Sequence, residues 1–197
     1  VKGGCLEIQD CGSFLRSVKP LEHGIFYSQL PRTFMGWFMP VRVNGTANVP
    51  LFGYGNTASP NCQCPASNLF VRFSGAKGLG LDSCGCNVTE SRSGSRSIEN
   101  IWWHIAIVYD DVQDETRFYL DAQLVHTADG VLDVQKGDSG VDKLVFGKGR
   151  NDERSCSMRI DEFSVYNFAA SEDHVRSKYR QDGGFRRLGR IKSLSVP

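Results

Sequence analysis

The sequence predicts an all-β fold: a two-sheet antiparallel sandwich with one short C-terminal helix. Three observations predict it. Strongly apolar runs follow one another at hairpin spacing over residues 101–110, 116–121, 144–147 and 158–167. In the first run the odd positions Ile101, Trp103, Ile105, Ile107 and Tyr109 are all apolar, while the even positions Trp102, His104, Ala106, Val108 and Asp110 are mixed. That alternation is the mark of a strand with one face in a core. A chain of 197 residues with 21 glycines and balanced charge is also an ordinary size for one domain of this kind.

The remaining elements follow in chain order. Residues 34–40, Phe-Met-Gly-Trp-Phe-Met-Pro, form a strand ended by Pro40, which has no N–H to give to a ladder. Trp37 within it is read as core. Residues 49–55 form the next strand, and 57–60 a loop. Residues 69–73 and 79–81 flank a Gly-rich stretch and make a hairpin. Residues 91–97, Ser-Arg-Ser-Gly-Ser-Arg-Ser, hold too little apolar surface to pack and read as a solvated loop. Ser171-Glu172-Asp173 caps the helix, on which Val175 and Tyr179 share a face. The predicted core is Trp103, Ile105, Ile107, Phe118, Leu120, Phe163 and Val165. Asp161 shares strand parity with Phe163 and Val165, so it is expected to point inward, where a carboxylate must find partners or take up a proton. His104 falls on the second face of its strand as a structural donor.

Cysteine placement bears on the compartment. Of seven cysteines, Cys62, Cys64, Cys84 and Cys86 form two Cys-x-Cys pairs around the hairpin. One antiparallel register sets Cys62 opposite Cys86 and Cys64 opposite Cys84, close to disulfide reach. The competing reading is a four-thiolate zinc site, whose paired ligands are usually separated by two to four residues instead of one. Two sequons, Asn44-Gly45-Thr46 and Asn87-Val88-Thr89, are expected in polar turns where glycosylation is feasible. Disulfides and sequons together indicate a secreted protein or the extracellular face of a surface protein.

The order of Trp103-His104-Ile105-Ala106, Tyr119-Leu120-Asp121 and Ile160-Asp161-Glu162 with Tyr166, closed by the turn from Ser171 to Tyr179, resembles the laminin G-like, or concanavalin A-like lectin/glucanase, superfamily. Ala170 stands where that family's terminal turn has Leu. The resemblance covers residues 3–179 and implies a jelly-roll sandwich over 1–179, with 180–197 as a basic connector or tail to a longer protein. It further implies that the first strand, 6–9, runs antiparallel to the last. That arrangement brings Cys11 near Cys156 as a third disulfide and leaves Cys5 as the odd thiol, free or bonded outside this chain. In the family the Asp of Ile-Asp-Glu is generally structural. Members are mostly non-catalytic adhesion and recognition modules that bind glycans or proteins through rim loops, often with Ca2+. Pentraxins, distant relatives, place acidic and amide ligands after a similar strand. Here the matching loop carries Asn151, Asp152 and Glu153 as ligand-binding and Ca2+ candidates, flanked by Arg150 and Arg154, whose charges oppose a cation.

Function is therefore expected to be non-catalytic extracellular recognition of a glycan or protein partner, with no catalytic residues. The alternatives are a glycoside hydrolase of the same fold and a disulfide-stapled spacer. The glucanase Glu-x-Asp-x-x-Glu motif is absent, and adjacent Asp161 and Glu162 face opposite sides of a strand. A net charge of +1 makes no case for nucleic acid. The longest apolar run, ending at Tyr109, is far short of the ~20 residues a spanning helix needs. The chain starts at Val1 without a leader, so a secretory signal is expected to have been removed or to lie upstream.

Overall fold

The structure is a computed structural model that describes residues 5–10, 13–17, 30–43, 48–55, 68–74, 78–83, 86–89, 98–129, 143–149 and 157–183. Its elements are β1 (Leu6–Ile8), β2 (Leu15–Arg16), β3 (Arg32–Pro40), β4 (Val49–Gly55), β5 (Asn68–Ser74), β6 (Gly78–Ser83), β7 (Cys86–Thr89), β8 (Trp103–Asp110), β9 (Glu115–Leu120), β10 (Gln123–Asp129), β11 (Val145–Phe146), β12 (Met158–Tyr166) and α1 (Glu172–Gln181). They build two six-stranded antiparallel sheets, β1-β12-β3-β8-β9-β10 and β2-β11-β4-β5-β6-β7. The predicted sandwich and helix are both present. β1 pairs antiparallel with β12, Leu6 opposite Ile160 and Ile8 opposite Met158, as the resemblance implied.

The core lies between the sheets. Phe34, Phe38, Trp103, Ile105, Ile107, Phe118, Leu120, Met158 and Ile160 of the first sheet meet Val49, Leu51, Phe52, Tyr54, Leu69, Val71 and Phe73 of the second. Phe163 and Val165 pack against this cluster while partly buried. Phe38 stacks on Phe52 at 5.6 Å and Phe73 meets Trp103 edge-on at 6.1 Å, contacts that add to the stabilisation from apolar burial.

A half-buried β8 was expected, but both its faces are covered from Trp103 to Tyr109. The reason is the helix. Ser171 caps α1 by accepting from the His174 N–H at 3.2 Å. The buried Val175 then joins Ala170, Met35, Ala106, Val108, Tyr119 and Ala122 in a second cluster on the outer face of the first sheet. The buried Thr33 hydroxyl fixes the approach to α1: it donates to the Phe168 carbonyl at 2.8 Å and accepts from the Ala170 N–H at 2.9 Å.

The inward Asp161 is overturned. Across β12 and β3 the pairing shifts between Asp161 opposite Trp37 and Ser164 opposite Met35. This is a one-residue bulge, with Glu162 at φ 51°. Parity inverts at the bulge, so Met158 and Ile160 point inward before it and Phe163 and Val165 after it. Asp161 is left on the outer face, where its carboxylate accepts from the Glu162 N–H at 2.9 Å. Gly36 makes room for the bulge, since a Cβ there would lie 3.0 Å from the Phe163 Cα.

The cysteine register also differs. Setting Cys62 opposite Cys86 requires Asn68 opposite Gly80, but Gly80 faces Arg72, in a ladder that runs on to Ser74 opposite Gly78. Cys86 opens a further strand and faces Ser83. Asn87, expected in a turn, is the second residue of that strand, opposite Asp82. Cys62, Cys64, Cys84, Cys11, Cys156 and Asn44 lie outside the described residues. Cys5 is an exposed free cysteine. α1 continues to Gln181, past the expected boundary at 179, and Asp182 closes it.

Candidate binding rim

Strand directions sort the connections onto two ends of the sandwich. At one end β1, β3, β5, β7, β9 and β11 finish and β2, β4, β6, β8, β10 and β12 begin. Backbone bonds pin this rim: Asn100 N–H to the Pro40 carbonyl at 2.7 Å, Val41 N–H to the Ser157 carbonyl at 2.9 Å and Gly147 N–H to the Leu51 carbonyl at 3.0 Å. Side chains add to the frame. Glu99 Oε1 accepts from the Val43 N–H at 2.5 Å, and the Ser157 hydroxyl donates to the Ile8 carbonyl at 3.0 Å. Lys148, just past β11, holds its ammonium 5.2 Å from the ring centroid of Phe14, just before β2.

Asn151, Asp152 and Glu153 lie outside the described residues, but both anchors of their segment, Gly149 and Ser157, stand at this rim. So do Val43 and Asn48, which flank the Asn44 sequon. The topology thus brings the described anchors on either side of both segments to the same end. Among the described residues, no group of three or more His, Cys, Asp and Glu side chains is placed to hold a metal ion.

The other acidic residues singled out by the sequence are separate, and three of the four are bonded. Asp110 accepts from the N–H groups of Val112 and Gln113 at 3.1 and 3.2 Å and pairs with Arg117 at 3.1 Å. Asp121, at φ 52° in the β9–β10 turn, accepts from the His104 N–H at 3.0 Å. Asp161 binds its neighbour's N–H, and Glu162 is exposed. His104 is fully buried between Trp37 and Tyr179, at ring separations of 5.2 and 5.5 Å. Neither of its ring nitrogens has a hydrogen-bond partner, so it is not the expected side-chain donor. Burial first, and then the charge of Lys178, lower its pKa to about 4, which keeps it neutral near pH 7.

The sequence reading passed over Trp102. Its neighbour Trp103 opens β8 and packs into the core, while Trp102, one residue before the strand, is partly exposed. The available signal was parity: an aromatic at an even position of the 101–110 run, whose odd positions already fill the core face.

A family model described as the concanavalin A-like lectin/glucanases superfamily matches residues 27–176. No curated protein matches. Among solved structures, the chain is similar to the Ruminococcus gnavus IT-sialidase CBM40, with 15% identity, TM-score 0.68, 90% of this chain and 97% of that one. The same CBM40 bound to α2,3-sialyllactose gives 14% identity and TM-score 0.63 over 88% and 98% of the two chains. A heptameric SAP-like pentraxin from Limulus polyphemus gives 14% identity and TM-score 0.59 over 87% and 76%. At these identities the structures share the fold alone; the family match covers most of the sequence, and the chain belongs to the concanavalin A-like lectin/glucanases superfamily.

Proposed function

We propose that the domain is a non-catalytic recognition module that binds a glycan through the pinned rim, as part of a secreted or surface protein. The observation that supports this most directly is the rim itself. Strand ends from both sheets converge on it, and their backbones are fixed by hydrogen bonds while the connections between them are free to vary. The similarity to a CBM40 bound to α2,3-sialyllactose supports a saccharide over a protein partner. Against hydrolysis stands the engagement of Asp110, Asp121 and Asp161 in separate structural bonds, where a glycosidase needs two carboxyl groups facing one substrate. Asn151, Asp152 and Glu153 are the residues we propose for Ca2+.

A glycan array run with and without Ca2+, beside a hydrolysis assay on the captured glycans, tests the proposal. Capture without turnover is expected, with any Ca2+ effect lost in Asp152→Ala and kept in Asp121→Ala. Turnover abolished by mutating Glu162 would establish an enzyme instead.

A further inference from the structure

We propose that the last two turns of α1 are an acid-opened latch: when His104 takes up a proton they lift from the outer face of the first sheet, while the sandwich beneath stays folded. The latch is independent of the glycan-binding reading and concerns a surface hidden at neutral pH.

His104 is 0% exposed, and two rings cover it. One is Trp37 of β3, edge-on at 5.2 Å and opposite His104 in the β3–β8 ladder. The other is Tyr179 of α1, edge-on at 5.5 Å. Neither imidazole nitrogen has a hydrogen-bond partner, so a proton gained there meets no acceptor. Trp37 cannot withdraw without breaking a central strand of a six-stranded sheet, whereas Tyr179 sits on a helix of ten residues. The way to water is therefore through α1.

The two halves of α1 are held differently. At its start the Thr33 hydroxyl bonds both the Phe168 carbonyl and the Ala170 N–H, and Val175 is fully buried in the cluster of Met35, Ala106 and Val108. Beyond Val175 the helix meets the sheet through Tyr179, stacked on Trp37 at 5.3 Å. Lys178 pairs with Asp182, at 3.1 Å, on the helix's own last turn. Val175 is thus the hinge, and residues 176–182 are the moving part. Freed turns of so short a helix are marginal in water and unwind.

Charge gives the motion its direction. From α1 the imidazole faces Lys178 and Tyr179. From the β9–β10 turn it faces Asp121, whose carboxylate accepts from the His104 backbone N–H. On β12, Asp161 stands opposite Trp37 and accepts from the Glu162 N–H, while the charge of the exposed Glu162 acts on Lys178, as does Tyr166. β3 and β8 put no charged side chain beside it: the flanking residues are Gly36, Trp37 and Phe38 on one strand and Trp103 and Ile105 on the other. Protonation therefore sets two like charges, His104 and Lys178, across the contact. Burial first, and Lys178 second, hold the docked imidazole at about 4, down from the ordinary 6.5. The docked state refuses a proton that the lifted state accepts, so the latch is closed above pH 6.5 and loosens as pH falls. The lifted fraction rises about 30-fold between pH 7.5 and pH 5. Lifting uncovers Trp37 and His104 and loosens the hold on the chain where it leaves the helix at Gly183.

Amide hydrogen exchange, corrected for its intrinsic pH dependence, tests the latch residue by residue in wild type, His104→Phe and Lys178→Gln. The amides of Tyr179, Arg180, Gln181 and Asp182 should be less protected than those of Trp37 and Ile105 at every pH. Their protection should fall about 30-fold from pH 7.5 to pH 5 in wild type, less in Lys178→Gln and not at all in His104→Phe. Should His104→Phe fail to fold, Tyr179→Ala answers instead: the His104 ring, followed by NMR, should titrate at a higher pH than in wild type. Helix amides as well protected as those of the sheet would mean that α1 opens only with the whole fold. An equal fall in His104→Phe would place the proton on another group. Either result, or a His104 titration unmoved in Tyr179→Ala, overturns the latch.

Discussion

Acid should weaken this domain through one imidazole. His104 is 0% exposed, enclosed by Trp37 and Tyr179, with Lys178 of α1 nearby. Of the charged groups on the elements around it, Asp121 accepts from its backbone N–H, Asp161 accepts from the Glu162 N–H, and Asp182 pairs with Lys178 at 3.1 Å, while Glu162 is exposed. Its pKa falls from 6.5 to about 4 on folding, by desolvation first and then by repulsion from Lys178. Between those values the unfolded chain binds a proton that the folded chain refuses, so stability rises with pH across the window. Above pH 6.5 the penalty is absent; at pH 4 and below it approaches ~3 kcal/mol, from ~1.4 kcal/mol per pH unit. The measurement is urea unfolding of wild type and His104→Phe from pH 7.5 to pH 4, using a ring of similar size that does not titrate. Wild type should lose about 3 kcal/mol more than the variant over that range. Because Tyr179 stacks on Trp37, the near-ultraviolet dichroism of these rings should fade in step. Parallel stability curves for the two proteins would show that His104 carries no proton linkage.

Other perturbations test the packing. Ile105→Ala should cost about 2–5 kcal/mol in chemical unfolding through lost burial and a residual cavity, and a loss under ~1 kcal/mol would mean that the core face is misassigned. Gly53→Ala places a Cβ 2.1 Å from Phe70 Cδ1 and 2.6 Å from the Leu69 carbonyl oxygen. It should cost at least ~1–3 kcal/mol, the usual range for overpacking, because one of those neighbours is backbone. Glu162→Gly should stabilise by about 1 kcal/mol by relieving the left-handed backbone of an exposed residue. Non-reducing peptide mapping should join the segments holding Cys62 and Cys64 to those holding Cys84 and Cys86, and Cys11 to Cys156. Bound zinc with four free thiols would defeat the first set, and a free Cys11 the last.

Much of the fold could be read in advance, for physical reasons that also mark where reading failed. β3, β8 and β12 are dense in apolar residues, and the turns beside β5 and β6 carry glycine, so periodicity and punctuation found them. β10, Gln-Leu-Val-His-Thr-Ala-Asp, is an edge strand with a register shift between Leu124 and His126. Its polar residues hide the alternation. β2 and β11 are two residues each, too short for any period to show. Parity failed at Asp161 because the bulge sits on a glutamate, with no glycine to announce it. The helix over the outer face of β8 was foreseen as an element but not as a lid, since its docking depends on tertiary contacts such as Tyr179 on Trp37. Of the candidate site, sequence nominated the loop residues, while the convergence of loops at one end needed the strand directions.

The Thr33 clamp has a consequence for how the chain must assemble. A hydroxyl near the start of the first long strand is satisfied only by a carbonyl 135 residues later and an amide two residues beyond that. Both neighbours of β3 in its sheet, β8 and β12, also come from far along the chain. The β4–β7 meander and the β8–β10 meander can form from local contacts, but β3 must wait for distant ones. During synthesis its apolar faces, with Phe34 and Phe38 on one side and Met35 and Trp37 on the other, remain open until β12 and α1 have emerged. A nascent chain stalled before residue 158 should therefore bind chaperones through β3, and release should coincide with the arrival of the closing strand.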